Sequence, residues 1–212
     1  MTRAVRRAGR RPGTSGSRDA ILRAARRRFG ALGYERTTIR GIAGEAGVDP
    51  ALVLHFFGSK EDLFAESIRL VIDPGALVPA ILAGPRTRLG ERVVRVALEL
   101  WGRPEIRDVF LSILRSAASN EVAAAALRRF ITREVLMPLA EASGMPNAPL
   151  RAALTGSQIV GMAVARYVVK VEPLASADPD EVARWIGPTL QRYLTEPAPR
   201  RSASTPGPRS GP

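Results

Sequence analysis

Residues 37–63, TTIRGIAGEAGVDPALVLHFFGSKEDL, constrain the chain more than any other stretch. Thr37 and Thr38 precede a short helix over 39–46, and either hydroxyl can accept from its free backbone N–H groups. Gly47 supplies a tight turn, because a left-handed backbone costs glycine little. Asp49 is a good N-cap and Pro50 suits the first position of a second helix, which carries residues 51–57 and stops at Gly58. Ser59 caps a third helix. Glu61 and Asp62 fall in its first turn, where the helix dipole favours negative charge.

The apolar spacing within this stretch is the stronger signal. Ile42, Ala46, Val48, Val53 and Phe56 are placed so that the two short helices bury one shared face. Ala43 and Gly47 are small where those helices cross. Asp49, Pro50, Ala51, Leu54 and His55 are left pointing outward. A helix whose outer face covers no core is free to enter a DNA major groove. The competing reading is an ordinary helical hairpin buried in a core, but turn, caps and small residues all fall in register for the first.

The motifs Thr37-Thr38-Ile39, Ile42-Ala43, Ala46-Gly47-Val48 and His55-Phe56-Phe57-Gly58-Ser59-Lys60-Glu61-Asp62-Leu63-Phe64 resemble the DNA-binding region of the TetR family of bacterial repressors. Ile21-Leu22-Arg23-Ala24-Ala25 and Phe29-Gly30-Ala31-Leu32-Gly33-Tyr34 match that family's first helix and the loop after it, so the resemblance covers about residues 18–65. Many relatives carry Tyr where this chain has Leu54, and Pro50 is a less usual choice that cannot donate from its backbone. The resemblance implies an all-α fold. A three-helix helix-turn-helix domain at 18–65 would precede a helical regulatory body at 66–195 that binds a ligand and dimerises. It further implies a cytoplasmic transcription regulator: a homodimer that represses from a palindromic operator and is released by a small-molecule inducer.

On this reading Thr38 and Arg40 touch phosphates. Asp49, Pro50, Ala51 and Leu54 face base edges, with Ala51 and Leu54 suited to thymine methyls. His55 and Lys60 hold phosphates on either side; an inward, hydrogen-bonded ring is the alternative for His55. Phe56 and Phe57 belong to the core, since duplex DNA offers no exposed base faces to stack on.

Charge distribution points the same way. The chain carries +12 overall. Residues 1–36 hold 11 basic and 2 acidic side chains, a balance of +9, whereas residues 66–196 hold 16 and 14, a balance of +2. The excess sits beside the reading helix rather than on the large C-terminal part, as a DNA-binding end needs. An arginine-rich coding bias would explain why only two of the 32 basic residues are Lys, but not why they gather at one end. Residues 1–17 read as a flexible basic arm able to follow a minor groove or phosphates, with an idle tail as the alternative for the first ten residues. Residues 196–212 have a disordered composition. Residues 1–17 lack an apolar run, so they read as neither a signal peptide nor a membrane span.

Residues 18–32 read as an amphipathic helix ended by Gly33, completing a three-helix core, and residues 59–72 as a connecting helix broken at Asp73-Pro74-Gly75. Further helices are expected over 87–102, 105–117, 121–142 (kinked or shortened by Pro138), 149–171 and 179–194, with a short segment at 76–83. Trp101, Phe110, Phe130, Met137 and Met162 lie on helices expected to converge, and such side chains line apolar pockets; a filled aromatic core is the alternative. The resemblance favours the pocket. It also assigns the last two helices to a four-helix dimer seam, with Gly156, Gly161, Tyr167, Trp185 and Leu190 as candidate interface residues.

An enzyme is disfavoured. The chain has one His, no Cys, no Walker loop, no HExxH and no Gly-rich loop after a strand, so no catalytic residue, metal or cofactor is assigned. A non-specific nucleoid-type DNA-binding protein would explain a basic arm, but it would not need a large, nearly neutral helical body.

Overall fold

The structure is a computed structural model that describes residues 14–198. The expected arm and tail lie mostly outside these residues. Of the arm, residues 14–17 are described and already belong to the first helix, α1 (Thr14–Arg36); of the tail, residues 196–198 are described. The helical path of α1 is interrupted at Gly33, whose φ of 76° only glycine adopts without strain.

The next three helices have the caps their sequences supply. Thr38, rather than Thr37, caps α2 (Ile39–Ala46), its Oγ1 accepting from Gly41 N at 3.0 Å. Thr37 is buried and donates to the Gly33 carbonyl instead. Gly47 closes α2 in the left-handed region, φ 68°. Asp49 caps α3 (Pro50–Phe57) and Ser59 caps α4 (Lys60–Arg69). Each such cap is worth about 1 kcal/mol, which matters because helices of eight residues are not stable alone.

The remainder is also helical: α5 (Pro74–Leu82), α6 (Leu89–Gly102), α7 (Pro104–Ser119), α8 (Glu121–Phe130), α9 (Met137–Ala142), α10 (Ala148–Ala163) and α11 (Pro179–Thr195). No strand occurs among the described residues. Pro138 breaks the long helix expected over 121–142 in a particular way. Proline lacks an N–H, and its ring collides with the carbonyl four residues back. The chain widens into a π-helical turn over Ile131–Leu136 and resumes as α9. A second π turn, Val164–Val169, ends α10.

Two apolar clusters hold the protein together. The first contains Ile21, Ala25, Phe29, Ile42, Val53, Leu63 and Phe64 from the N-terminal helices, but also Ile113 of α7 and Ala126, Leu127 and Phe130 of α8. The N-terminal unit therefore does not close its core with its own helices; α7 and α8 finish it. Two buried serines fasten the same seam. Ser112 Oγ donates to the Phe29 carbonyl, and Ser116 Oγ accepts from Tyr34 N. The second cluster joins Val93, Leu98 and Trp101 of α6 to Phe110, Leu139, Leu190 and Leu194. There α6 and α11 cross at Gly90 and Gly187, close enough that a Cβ on Gly90 would stand 2.3 Å from Gln191 N.

Candidate nucleic-acid interface and internal cavity

The outer face of α3 follows from its inner one. Val53 and Phe57, four residues apart, are buried and set the inner face of α3; Ala51, Leu54 and His55 fall off that face and are exposed. Phe56, expected in the shared face, is only half-buried, because the helical repeat from Val53 lands on Phe57. Leu54 is 46% exposed, a large apolar side chain with no core to cover. The His55 ring faces solvent and not the interior. Pro50 is partly buried. Asp49 is exposed, with Oδ1 accepting from Ala51 N at 2.7 Å.

Thr38 and Arg40 stand exposed at the start of α2. The Thr38 oxygen accepts as a cap, which leaves its proton to donate outward. Lys60 is engaged: its Nζ lies 3.4 Å from the Glu35 carbonyl and 4.3 Å above the Tyr34 ring centre. Tyr34 in turn donates to Glu61 at 2.8 Å. Burial raises the Tyr34 pKa first and the Glu61 contact adds to it, while backbone hydrogen bonding first and Tyr34 second hold Glu61 below its ordinary range. The N-terminal end of α4 is thus clamped to the loop after α1. Opposite, Arg27 and Arg28 reach Glu45 and fix α1 against α2.

Besides the seam at Ser112 and Ser116, an ion pair connects this unit to the rest. Arg69 at the end of α4 forks onto Glu134 in the π turn, Nε to Oε2 at 2.8 Å and Nη2 to Oε1, while its third nitrogen reaches Glu66. The fork holds the Glu134 carboxyl below its usual range. Nothing in the sequence pointed to this pair, whose members are 65 positions apart.

Behind the π turn lies an apolar cavity of about 90 Å³. Trp101, Phe110 and Phe130 line it as expected, with Val93, Ile131, Val135 and Val160 among the other walls. Met137 and Met162 do not reach it: Met162 is buried and Met137 half-buried in the packing around the cavity, each set back from the wall. Gly156, assigned to the dimer seam, lines the cavity instead. It is buried, and a Cβ there would stand 2.5 Å from Leu136 Cδ1, so it faces the protomer interior. Leu190 is corrected likewise, because its complete burial against the second cluster leaves no surface for a partner. Tyr167 is half-buried edge-on to Trp101. Gly161 and Trp185 are exposed, Trp185 by 78%.

Comparison with known proteins agrees with this geometry. Residues 21–67 match the profile described as bacterial regulatory proteins, tetR family, and residues 87–194 match the tetracyclin repressor-like C-terminal domain. The chain belongs to the TetR family. A TetR-family regulator from Streptomyces coelicolor A3 is 38% identical, with 88% of this chain and 99% of that one aligned and a TM-score of 0.62. The HTH-type transcriptional regulator BetI of Agrobacterium fabrum is 39% identical over 88 residues, and that of Rhizobium meliloti 38% over 109. Those matches take in 41% and 53% of the two BetI proteins, so the chain spans about half the length of the curated relatives it matches. In a TetR-family transcriptional regulator the helix-turn-helix is the DNA-binding unit, here α2 and α3, and the function is regulatory.

Proposed function

We propose that this TetR-family chain is a homodimeric repressor that grips a palindromic operator with two copies of α3 and lets go when a small apolar molecule enters the cavity. The observation that carries the first half is the outward face of α3: Ala51, Leu54 and His55 exposed on a short helix whose other face is fixed in a core, with Thr38 and Arg40 beside it. One eight-residue helix offers too few contacts for tight binding alone, and a two-fold pair matches a palindrome half-site for half-site.

Pairing is supported by apolar surface with nothing to cover it. Leu150, Leu154, Val168 and Val169, with the π turn that follows α10, and Trp185 of α11 are exposed. By length and composition alone the segment Ala148–Val169 would suffice to cross a membrane, with mean hydropathy 1.3. A seam between subunits accounts for the same apolarity, and two arginines favour it. Arg151 and Arg166 are buried near the two ends and donate to carbonyls of this same protein, Tyr193 and Glu196 for one, Leu174 and Ala177 for the other. A cytoplasmic location goes with this reading.

The ligand reading rests on the cavity wall. Its side chains are hydrocarbon or aromatic, the indole nitrogen of Trp101 being the one heteroatom among them. A charged ligand would lose hydration there without replacement, so the fitting class is neutral and apolar. Small-molecule sites commonly exceed ~300 Å³, so a ligand must push the walls apart. Only a ligand that binds the releasing arrangement better shifts the equilibrium.

Selection of bound sites from random duplex DNA tests the reading. A two-fold symmetric motif bound by two chains is the expected result. Equal binding to every duplex would favour a packaging protein and end the repressor reading.

A further inference from the structure

We infer that α3 recognises its operator chiefly through thymine 5-methyl groups, with Leu54 and Ala51 as the residues that read them. The inference rests on the operator reading above and names the chemistry that reading leaves open.

Consider what the reading helix presents. Helices of this motif meet base edges with their N-terminal residues. Over that half, Val53 is buried, Pro50 has no N–H, and Ala51 and Leu54 offer only hydrocarbon. The one polar side chain, Asp49, has an oxygen committed to Ala51 N as the cap. His55 lies in the last turn, just before the Gly58 cap, and Arg40 belongs to the preceding helix, α2, and not to the reading helix. The reading surface therefore carries no amide, guanidinium or hydroxyl of the kind that pairs bidentately with adenine or guanine.

The major groove has one hydrocarbon feature, the thymine C5-methyl; its other edge groups are hydrogen-bond donors and acceptors. Leu54 against a methyl removes apolar surface from water on both sides. Leu54 against an amino or carbonyl edge strips water from a polar group and replaces it with nothing. The face thus selects for thymine by attraction and against other edges by desolvation. Its 46% exposure leaves Leu54 enough surface to bury on docking.

The test uses the full chain and the operator recovered from random duplexes, with deoxyuridine replacing thymidine at one position at a time in both half-sites. Burying one methyl corresponds to about fourfold in affinity, so a symmetric pair should cost roughly fifteenfold. Leu54→Ala should abolish the penalty at one position pair and keep it elsewhere. Its circular dichroism should be unchanged, since the side chain is exposed. Ala51→Gly should do the same at a neighbouring position. Thymidine and deoxyuridine operators bound equally, within twofold, would overturn the inference while leaving the operator reading standing. So would deoxyuridine penalties that survive Leu54→Ala and Ala51→Gly together. A selection that recovers no motif overturns both.

Discussion

The crossing of α6 and α11 makes a prediction in which two physical effects have opposite sign. Gly90 lies in the first turn of α6, and replacing it with Ala should help a helix by up to about 1 kcal/mol on propensity. The structure says otherwise. The new Cβ would stand 2.3 Å from both Gln191 N and the Gly187 carbonyl oxygen, where ordinary contact begins at 3.4 Å, a shortfall of 1.1 Å against backbone atoms that no rotamer can relieve. Forcing the helices apart costs about 1–3 kcal/mol as overpacking. It also strains the hydrogen bonds from Gly90 N to Gln191 Oε1 at 2.8 Å and from Gln191 Nε2 to the Arg86 carbonyl at 2.9 Å. At about 1 kcal/mol each, and with the propensity gain set against them, they bring the net loss to roughly 2–4 kcal/mol. For a chain of this size that is a fall in Tm of roughly 10 °C. Thermal and urea unfolding followed at 222 nm would measure it. Gly44→Ala is the control: the site is mid-helix in α2, a Cβ meets nothing within 4 Å, and the same measurement should show no loss or a gain. A Gly90→Ala protein that melts at or above the wild type would refute the close crossing, and with it the geometry that orients the outer face of α11.

Three shorter predictions bear on the functional reading. Lys60→Ala should weaken binding alike on all duplexes and lower the salt slope by about one; altered base preference at unchanged slope would show that Lys60 is no phosphate contact. Trp185→Glu should leave the protomer folded, since the ring is 78% exposed, yet shift sedimentation towards monomer and cut operator affinity more than tenfold; a dimer of unchanged strength would place the seam elsewhere. Arg69 holds the Glu134 pKa below its ordinary value, so the stability it adds is complete above about pH 4.3 and disappears as pH falls through the depressed value. Urea midpoints should therefore drop more steeply between about pH 5 and pH 3 in the wild type than in Glu134→Gln, by at most about 1 kcal/mol given that Arg69 is 44% exposed. Parallel profiles would mean the fork adds nothing.

What the sequence disclosed was whatever local chemistry controls. Thr38, Gly47, Asp49, Pro50, Gly58 and Ser59 each act within four residues of themselves, and the helix-turn-helix was legible from them. The outward aim of Leu54 and His55 followed from periodicity. Periodicity failed where two faces of one helix both carry small or apolar residues. In α10, Gly156 and Gly161 look alike in sequence, but one lines the cavity and the other is exposed, because which face a bundle buries is set by distant neighbours such as Leu136. Leu190 and Trp185 divide in the same way on α11. Met137 and Met162 were sensible pocket candidates by type, but the π turn ahead of Pro138 rotates Met137 out of the register an unbroken helix would have given it, and Met162 on α10 is packed into the second cluster away from the wall.

The shared core says how the cavity would reach the DNA. Phe110 of α7 and Phe130 of α8 line the cavity, and those two helices also supply Ile113, Ala126 and Leu127 to the core beneath the reading unit. Close-packed interiors transmit displacement and do not absorb it. The π turn ahead of Pro138 joins the two sites, because it carries both cavity residues, Ile131 and Val135, and the Glu134 that grips Arg69. A ligand that swells the cavity therefore pushes on the segment that holds the end of α4. Each tenfold of repression relieved requires about 1.4 kcal/mol of preference for the displaced arrangement. The exposed fork contributes at most about one such step. Most of the coupling must then pass through the packed face of α8 against α4, and deleting the fork should weaken induction without abolishing it.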